Sequence, residues 1–439
     1  MEMQGYTMKL TKTLAGALLL LQSLLWAEMS FDGEMRLRFE YFDNMNEKYF
    51  GTHPKSGVSE DAYLLTRLRL GMTYTFDEHW SARASMQDSR AVGWGFDNED
   101  WYNKEFMQEN STQVDHFELY ETYLQYATSN IVIRTGRQKI AYGDNRVFGP
   151  GEWKNSGKWV WDAAKVSVRD GENYLDLFYG GTMLHDPDEF SLGHRHGYYG
   201  GGIYGHYALR KTGAIEPIFA YKENEKANEK YLELKSYYLG ARLYDDNLNG
   251  YFYNMTYMKS FGDYTKLDAS RVDIDGYGFH VDAGYHFRPI HTKIGLGYTY
   301  ASGDDQNTGD RETFDVVFGA SDKYYGRLNL MKWSNIKDYE IFAVVKPWVK
   351  TKIKLEYHAF YADEPGSKWK SYTLPVMQSD KYGEEIDIVA VHHYNKQIRL
   401  QLGLGYFKSG DYMEEAAEAN PYITEDDAFG MFMQAAYKF

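Results

Sequence analysis

The chain has 439 residues, of which 25% are charged and 17% aromatic, with 41 Gly, 41 Tyr, 9 Pro and no Cys. The absence of Cys excludes a disulfide framework, a thiolate metal site and a cysteine nucleophile. A net charge of −15 argues against a general nucleic-acid binder, which needs a basic surface. No stretch after residue 30 approaches the roughly 18 apolar residues of a membrane helix. Many Tyr and Gly with few Pro favour a β-rich chain with little linker.

Residues 1–27 have the pattern of a secretory signal. Lys9 and Lys12 precede a short, mostly apolar run, and Ala27 offers a small residue at the expected cleavage point. A basic segment, an apolar segment and a small terminal residue are the three parts of such a signal. Translation from Met8 would give a tidier signal, and an N-terminal membrane anchor is the alternative. Removing the signal would leave 46 basic and 62 acidic residues, a charge of −16, in a protein that leaves the cytoplasm.

The rest of the chain alternates between two kinds of residue with a period of two. From residue 29 to residue 42 the odd positions are mainly apolar, as Leu37 and Phe39 are, whereas most even positions are charged, as Arg36 and Arg38 are. Side chains alternate between the faces of a β-strand, so each such segment has one apolar and one charged face. A soluble sandwich rarely carries so many charges in mid-strand. The pattern predicts about eighteen strands, at residues 29–42, 61–76, 79–91, 115–127, 130–140, 161–169, 173–184, 196–210, 213–223, 234–246, 248–259, 274–289, 290–302, 338–348, 350–363, 383–395, 396–409 and 427–439.

The predicted connections alternate between long and short along the chain. Residues 43–60 and 141–160 form long connections, for example, whereas Asp77-Glu78 is a tight turn. Outer-membrane barrels combine short periplasmic turns and long extracellular loops with an even number of strands. We therefore expect an all-β fold, a single transmembrane antiparallel up-and-down β-barrel that occupies residues 28–439 and lies in the bacterial outer membrane.

The last predicted strand ends on an aromatic residue. Alternate positions from Phe429 to Phe439 form one apolar face. A terminal aromatic on an amphipathic strand resembles the signal that bacterial outer-membrane assembly machinery reads, so we expect that machinery and outer-membrane lipid to be partners. Within the region 303–337, Tyr324–Lys332 could be either a strand or part of a long loop. Interfacial aromatic girdles would be formed by Tyr41, Tyr74, Tyr126, Tyr244, Tyr257, Tyr300, Tyr361 and Tyr406.

Three stretches carry a further signal. They are Gly136-Arg137-Gln138 followed by Tyr142-Gly143-Asp144-Asn145-Arg146, Gly149-Pro150, Trp153, Asn155 and Trp161-Asp162-Ala163; Tyr300-Ala301-Ser302-Gly303-Asp304-Asp305 followed by Thr313-Phe314-Asp315 and Tyr324-Tyr325-Gly326; and Gly383-Glu384-Glu385-Ile386-Asp387. As an ordered set they resemble the alginate-export family of bacterial outer-membrane β-barrel porins. The resemblance implies an eighteen-stranded monomeric pore whose positively charged lumen passes an acidic polysaccharide. That substrate comes from the resemblance and not from composition.

The alternation assigns faces, so the charge expected in the lumen can be counted. At mid-strand positions we expect fifteen basic residues to face inward: Arg36, Arg38, Arg67, Arg69, Arg83, Arg134, Lys165, Arg169, Arg242, Arg288, Lys293, Lys346, Lys352, Lys354 and Arg399. The ten inward acidic residues are Asp32, Glu34, Glu40, Glu121, Asp176, Asp282, Glu340, Glu356, Glu385 and Asp387. A basic lumen would concentrate anions, and the planar Arg guanidinium suits a carboxylate. The alternative is that these charges pair across strands and only hold the wall together.

Arg137 does not fit strict alternation. Counting from Ile131 and Ile133 places Arg137 toward lipid, which is costly near the middle of the bilayer. A β-bulge at Gly136 would turn Arg137 into the lumen, and glycine is a residue at which bulges occur. We expect this bulge, because the resemblance makes the motif functional.

The loop 141–160 follows directly. It either folds back to narrow the pore or remains a plain extracellular loop. If it folds back, the residues near the constriction would be Tyr142, Asp144 and Arg146.

Other clusters carry weaker signals. A Ca²⁺ site, which needs several oxygen ligands, could be formed by Asp304, Asp305 and Asp310. A zinc site would draw on His194, His196, His392 and His393, but these lack a closing ligand spacing. Paired carboxylates are too common in this acidic chain to indicate glycosidase chemistry, and no nucleophile elbow, phosphate loop or dinucleotide fingerprint occurs. We expect no enzyme and no firmly bound cofactor.

The leading hypothesis is a passive outer-membrane channel with a basic lumen for an acidic polysaccharide or another anionic solute. The second is a general or nutrient-uptake porin on the same barrel. It gains weight because every inferred periplasmic turn is short, including Asn395–Gln397, which leaves no residues for a periplasmic gate. A barrel hydrolase would need a Ser and His pair near one rim, and no persuasive pair is present. A secreted sugar-binding sandwich would stay soluble without detergent.

Overall fold

Almost all of the described backbone is β-strand. The computed structural model describes residues 28–45, 60–93, 102–187, 195–305, 308–320, 324–366, 368–369 and 372–439, so the predicted signal at 1–27 lies outside the described residues. One short α-helix covers Asp411–Ala419, and a 3₁₀ turn covers Arg288–Ile290. The strands are β1 (Glu28–Asp43), β2 (Asp61–Thr75), β3 (Trp80–Val92), β4 (Tyr102–Asn103), β5 (Gln108–Glu109), β6 (Asp115–Ala127), β7 (Ile131–Lys139), β8 (Val160–Asp170), β9 (Asn173–Met183), β10 (His196–Arg210), β11 (Gly213–Asn224), β12 (Glu233–Leu248), β13 (Tyr251–Thr265), β14 (Arg271–Ile274), β15 (Tyr277–Phe287), β16 (Thr292–Ala301), β17 (Ile336–Trp348), β18 (Thr351–Tyr361), β19 (Lys368–Trp369), β20 (Tyr372–Thr373), β21 (Lys381–His393), β22 (Ile398–Ser409) and β23 (Ala428–Lys438).

The long strands form one closed antiparallel barrel. Each pairs with the next long strand along the chain, and β23 pairs with β1 to close the ring. Strands β14 and β15 are consecutive segments of one wall strand, since both pair with β13. The wall therefore has eighteen strands, and each predicted strand is confirmed. Tyr324–Lys332 is part of a loop, while β4–β5 and β19–β20 are small hairpins outside the wall.

The first and last strands meet at a seam that needs a glycine. The amide of Gly33 donates to the carbonyl of Phe439 at 3.0 Å, and the amide of Phe439 donates back at 3.1 Å. A Cβ on Gly33 would collide with the Phe439 ring. The terminal aromatic residue thus packs across the position where the barrel closes.

The outer face of the barrel is apolar. Large side chains such as Leu177, 56% exposed, and Leu296, 63% exposed, point away from the interior in mid-strand. Aromatic pairs lie beside short turns, as with Tyr74–Phe76 and Tyr285–Phe287, the place expected for an interfacial girdle. So large an apolar surface marks contact with lipid. None of the helices in the described part of the chain is long and apolar enough to cross a membrane.

The hydrophobic core lies inside the barrel, between the wall and two loops. Phe148, in the loop after β7, stacks on Phe318, in the loop after β16, with ring centroids 6.1 Å apart. Trp159 and Trp161 pack against the same Phe318 ring at 5.5 and 4.6 Å. Both loops leave the barrel at the end opposite the short turns. They therefore bring a packed apolar cluster into the barrel interior on the extracellular side.

Candidate functional site

The loop between β7 and β8 folds back into the lumen. Arg36, in the middle of β1, donates to the Asn155 side-chain oxygen at 2.9 Å. The Asn155 amide donates in turn to the backbone carbonyls of Thr66, at 2.9 Å, and Arg90, at 3.2 Å. Asn155 is fully buried. Of the two alternatives left open for this loop, the structure has the folded-back one.

Glu152 anchors the same loop to a group of wall cations. Its carboxylate lies 3.0 Å from the Lys139 Nζ and 3.4 Å from the Arg69 Nη1. Burial alone would raise the pKa of Glu152, but Arg69, Lys139 and Arg67 outweigh burial and hold that pKa well below its usual range. Arg36 donates to the Glu152 carbonyl at 2.9 Å. Arg36, Arg67 and Arg69 therefore hold the loop in place through Glu152.

Arg38 is also fully engaged, by contacts with the wall and with the same loop. Its Nε lies 2.7 Å from the Glu40 carboxylate, with both side chains fully buried. The guanidinium donates to the Trp153 carbonyl at 2.6 Å and stacks on the Trp153 ring at 4.2 Å. Arg38 has no free surface for a solute.

Tyr142 begins the loop and lies against the wall. Its hydroxyl donates to the Asp176 carboxylate at 2.7 Å, and its ring stacks on Tyr204 with centroids 4.4 Å apart. Burial and the neighbouring Asp176 raise the pKa of Tyr142 well above its usual range. Tyr142 therefore stays a neutral hydrogen-bond donor.

Asp144 and Arg146 link this loop to the second one. Asp144 lies 3.3 Å from the Arg146 Nε and 4.0 Å from the Arg242 Nε. Burial raises the pKa of Asp144, but these two guanidinium groups reverse the effect and lower that pKa to about 2. Arg146 also donates to the Tyr325 hydroxyl at 2.9 Å. The two lumen loops thus hold each other through charged and hydrogen-bonded side chains.

Two cavities open in the lumen beside these loops. The lysine cavity, about 360 Å³, is lined by Lys293, Lys346, Lys352, Lys354 and Arg146 against the carboxylates of Asp144, Asp282 and Glu340. The arginine cavity, about 410 Å³, is lined by Arg36, Arg67, Arg327, Arg399 and Lys438 against the carboxylates of Glu34 and Glu152. Cations outnumber carboxylates by five to three and by five to two.

The predicted lumen cations fall into two groups. One group is ion-paired with described carboxylates and comprises Arg38, Arg67, Arg69, Arg83, Arg146, Arg242, Lys165 and Lys354. The second group makes no ion pair with any residue that the structure describes, and it comprises Arg36, Arg134, Arg169, Arg288, Lys293, Lys346, Lys352 and Arg399. Pairing with carboxylates of the wall or of the β7–β8 loop therefore accounts for about half of the expected basic lumen.

The expected bulge at Gly136 is wrong. The ladder from Arg134 to Lys139 pairs with β8 without a register shift, so Arg137 lies on the face opposite Arg134. The free-energy cost of a charge on that face is offset by Asp162. Its carboxylate accepts a hydrogen bond from the Arg137 Nε at 2.8 Å and one from His196 at 2.9 Å. Arg137 belongs to the outer side of the wall and not to the pore lining.

The acidic residues proposed for Ca²⁺ are not brought together. Among the described residues, the carboxylate and imidazole groups that approach within 4.8 Å as a set of three are Glu340, Glu356 and His358. Lys354 already occupies that set, because its Nζ contacts Glu340 at 3.3 Å and also Glu356. Asp304 instead accepts a hydrogen bond from the backbone amide of Glu312 at 2.9 Å. Neither place is a built metal centre.

Several lumen residues were missed because they lie on loops. Arg327 and Glu152 are charged, and Asn155 is polar, but period-two alternation assigns a face only to strand residues. The one available signal was their position inside the quoted motifs or beside them. Lys438 was missed because it ends the last strand, where it pairs with Glu34 at 3.4 Å.

A closed eighteen-stranded barrel with an apolar outer belt and charged cavities in its lumen defines an outer-membrane channel. A model of the alginate-export family matches residues 27–423. The chain belongs to the alginate-export family, whose members are channels and not enzymes. A search of curated protein sequences finds no match.

Solved structures share the fold at low identity. Acinetobacter baumannii OccAB2 superposes with a TM-score of 0.60 at 12% identity, covering 93% of this chain and 98% of that one. Pseudomonas aeruginosa OccK8 (OprE) gives 0.59 at 12% identity, covering 94% and 98%. A. baumannii OccAB1 gives 0.59 at 9% identity, covering 93% and 97%. At these identities the likeness shows the barrel fold alone.

Proposed function

We propose that the protein is a passive outer-membrane channel for small solutes that carry carboxylate groups. The observation that carries this proposal is the presence of Lys293, Lys346, Lys352 and Arg399 in the two cavities without an ion-pair partner among the described residues. Unpaired cations in a confined, partly dehydrated lumen attract anions and replace part of their hydration.

The paired and unpaired cations have different roles in this proposal. Arg38, Arg67 and Arg69 already satisfy carboxylates or loop carbonyls, so they maintain the shape of the lumen. Arg399 and Lys352 keep exposed side chains, so a solute carboxylate can approach them directly. One such contact at about 4 Å is worth roughly 1 kcal/mol in water and more in a less polar lumen.

The lumen loops favour small solutes over a polymer. The cluster around Phe148, Phe318 and Trp161 lies inside the barrel on the extracellular side and leaves less space for a polymer. An acidic polysaccharide remains the second candidate, because the family that matches the chain is described by alginate export. Short oligouronates can probe both candidate solute classes, since they present the carboxylates of an acidic polysaccharide on a small ligand.

The remaining sequence-based expectations complete the proposal. We expect residues 1–27 to be removed during export, Phe439 to be read by the assembly machinery, and the barrel to act as a monomer in outer-membrane lipid. A passive barrel supplies neither energy nor direction, so the solute gradient sets the direction of flow.

Single-channel current in planar bilayers tests the function. The purified protein is placed in a KCl gradient, and the reversal potential gives the anion-to-cation permeability ratio. Diuronate and triuronate are then added and compared with neutral oligosaccharides of the same length. We expect anion selectivity and block by the uronates, both reduced in Arg399→Gln and Lys352→Gln. Lys266→Gln, at an exposed turn between β13 and β14, is the matched control and should behave as wild type.

Two outcomes would reject the proposal. Cation-selective conductance that ignores uronates would leave a general porin. Anion selectivity that survives both lumen substitutions would mean that Arg399 and Lys352 do not form the selective site.

A further inference from the structure

We propose that Arg327 is a specificity-determining residue of the pore, and that Glu385 and Asp387 are positioning residues that hold its loop in the lumen. The role of Arg327 rests on the proposed anion channel. The binding of its loop by Glu385 and Asp387, which we call the seat, is a separate structural claim. Arg327 lies in the loop after β16 and was not found by sequence alternation.

The seat consists of two wall carboxylates that bind two consecutive backbone amides. The Arg327 amide donates to the Asp387 Oδ2 at 3.0 Å, and the Leu328 amide donates to the Glu385 Oε1 at 2.8 Å. Both carboxylates are fully buried. Buried carboxylates require hydrogen-bond donors, and the loop amides are the donors that the described residues offer them. The wall thus contains two acceptors whose partners are main-chain groups of the loop.

Strand geometry explains why these two acids act together. Glu385 and Asp387 are two residues apart on β21, so both face the lumen, whereas Ile386 between them points outward and is 55% exposed. The repeat of a strand over two residues, about 6.6 Å, brings both carboxylates within reach of adjacent loop amides. This accounts physically for the acidic pair in the third quoted motif.

Gly326 allows the loop to approach the seat. Its φ of 78° lies in the left-handed region that favours glycine. A Cβ at this position would collide with the Glu385 carboxylate. Both constraints select glycine immediately before the two seated amides.

The seat places the Arg327 guanidinium at the edge of the arginine cavity. The Nε and Nη2 atoms of Arg327 each lie 2.9 Å from the Glu356 Oε2, yet the side chain remains 19% exposed. Burial lowers the pKa of Arg327, but Glu356 outweighs burial and raises that pKa, so the cation persists. Arg327 lines the same cavity as Arg36 and Arg399. Unlike the paired Arg38 and Arg67, whose side chains are 0% and 3% exposed, the paired Arg327 therefore keeps an exposed edge in that cavity and adds a cation that the wall itself does not supply.

The role of Arg327 is tested by charge removal and conservative rescue. In the KCl-gradient measurement, Arg327→Gln should lower the anion-to-cation permeability ratio by roughly two- to five-fold, the effect of one charge near a pore lining. Arg327→Lys should keep the wild-type ratio, because it keeps the charge. A wild-type ratio in Arg327→Gln would overturn the role of Arg327, and an equal loss in both variants would show that its contribution is only structural.

The seat is tested from the loop side, which leaves the wall residues unchanged. Gly326→Val should expel the loop and raise single-channel conductance by about two-fold or more, since pore cross-section grows. Gly309→Val is the matched control in the same loop, because no atom lies within 4 Å of its Cβ position. Gel mobility before and after boiling establishes that each variant forms a barrel.

A thiol probe gives a second readout that does not depend on conductance. The chain has no Cys, and Leu328 is 1% exposed, so Leu328→Cys should react slowly with a membrane-impermeant maleimide. The reaction should accelerate at least ten-fold in the Gly326→Val background and not in the Gly309→Val background. Folded Gly326→Val barrels with wild-type conductance and a protected thiol would overturn the seat. That result is independent of whether the wild-type pore selects anions, so failure here and failure of the proposed function are distinguishable.

Discussion

The guanidinium of Arg36 lies 2.9 Å from the side-chain oxygen of Asn155, although 119 positions separate the two residues in the chain. Arg36 is a wall residue and Asn155 is the middle of a loop that leaves the opposite end of the barrel from the short turns. Asn155 also donates two hydrogen bonds to Gln113, one from its backbone amide to the Gln113 side-chain oxygen at 2.9 Å and one from its side-chain amide to the Gln113 carbonyl at 3.1 Å. One buried amide group therefore ties together strands β1, β2 and β3 and two loops.

Removal of this group should loosen the lumen loop. Asn155→Ala removes one side-chain acceptor of Arg36 and the donor to three backbone carbonyls, and we expect a loss of about 3 kcal/mol in the free energy of unfolding. The loop should also fluctuate, so single-channel records should become noisier with a higher mean conductance. Urea unfolding in lipid vesicles and planar-bilayer recording measure the two effects. Asn130→Ala, in an exposed turn, is the control and should change neither.

The charged contacts of the loop should withstand moderate acid. The pKa of Asp144 is lowered to about 2 by Arg146 and Arg242, which outweigh its burial, and the pKa of Glu152 is also held low. A carboxyl with a lowered folded-state pKa stabilises the fold at all pH values above its unfolded pKa, about 4, and loses that contribution as the pH falls toward the folded value. We therefore expect constant conductance from pH 7 to about pH 4.5 and loosening only below about pH 3. An opening transition near pH 5 would contradict these assignments.

Paired and unpaired cations should respond to substitution in opposite ways. Arg38→Met leaves the buried Glu40 carboxylate without its countercharge, with only the Tyr63 hydroxyl still donating to it, so the free energy of unfolding should fall by about 3–5 kcal/mol. Its folded fraction should keep the wild-type permeability ratio. Arg399→Gln should shift the ratio and leave the urea midpoint within experimental error. If Arg38→Met shifts the ratio as strongly as Arg399→Gln does, the division between the two groups fails.

Whether Arg137 lies on the outer face or the lumen face of the wall can be tested by comparing it with Arg134. Arg137→Met removes one of the two partners of Asp162 on the outer side of the wall and leaves His196, so stability should fall by about 2–4 kcal/mol while the permeability ratio stays unchanged. Arg134→Gln, on the lumen face, should alter the ratio with little effect on stability. Reversal potentials and urea midpoints of the two variants measure both quantities. The reverse pattern would place Arg137 in the lumen.

The strands were predictable because their information is local. In β1, for example, Leu37 and Phe39 alternate with Arg36 and Arg38, and this alternation alone separates the lipid face from the lumen face. The prediction failed at Gly136, where a bulge was invoked against this alternation. There the positive φ of 123° is accommodated within an unbroken ladder.

The candidate site was only partly predictable. Alternation assigned Arg399 and Lys352 to the lumen face, and each lines one of the two cavities, but alternation could not distinguish them from Arg38 or Arg67, which occupy equivalent positions in the pattern. The distinction depends on whether a carboxylate or a loop carbonyl from a distant segment reaches the guanidinium. Arg327 and Glu152 were invisible to the pattern because a loop has no fixed period.

By itself, the sequence determined the number of strands, the lipid and lumen faces and the side of the barrel on which the long loops lie, because each follows from residues adjacent in the chain. The tertiary structure alone decided that two of those loops fold into the lumen and that Asn155 and the Glu385–Asp387 pair hold them there. It also decided that Arg399, Lys352, Lys346 and Lys293 make no ion pair with the described residues. These facts depend on contacts between residues far apart in sequence. Whether a buried charge is paired depends on such contacts and not on its neighbours along the chain.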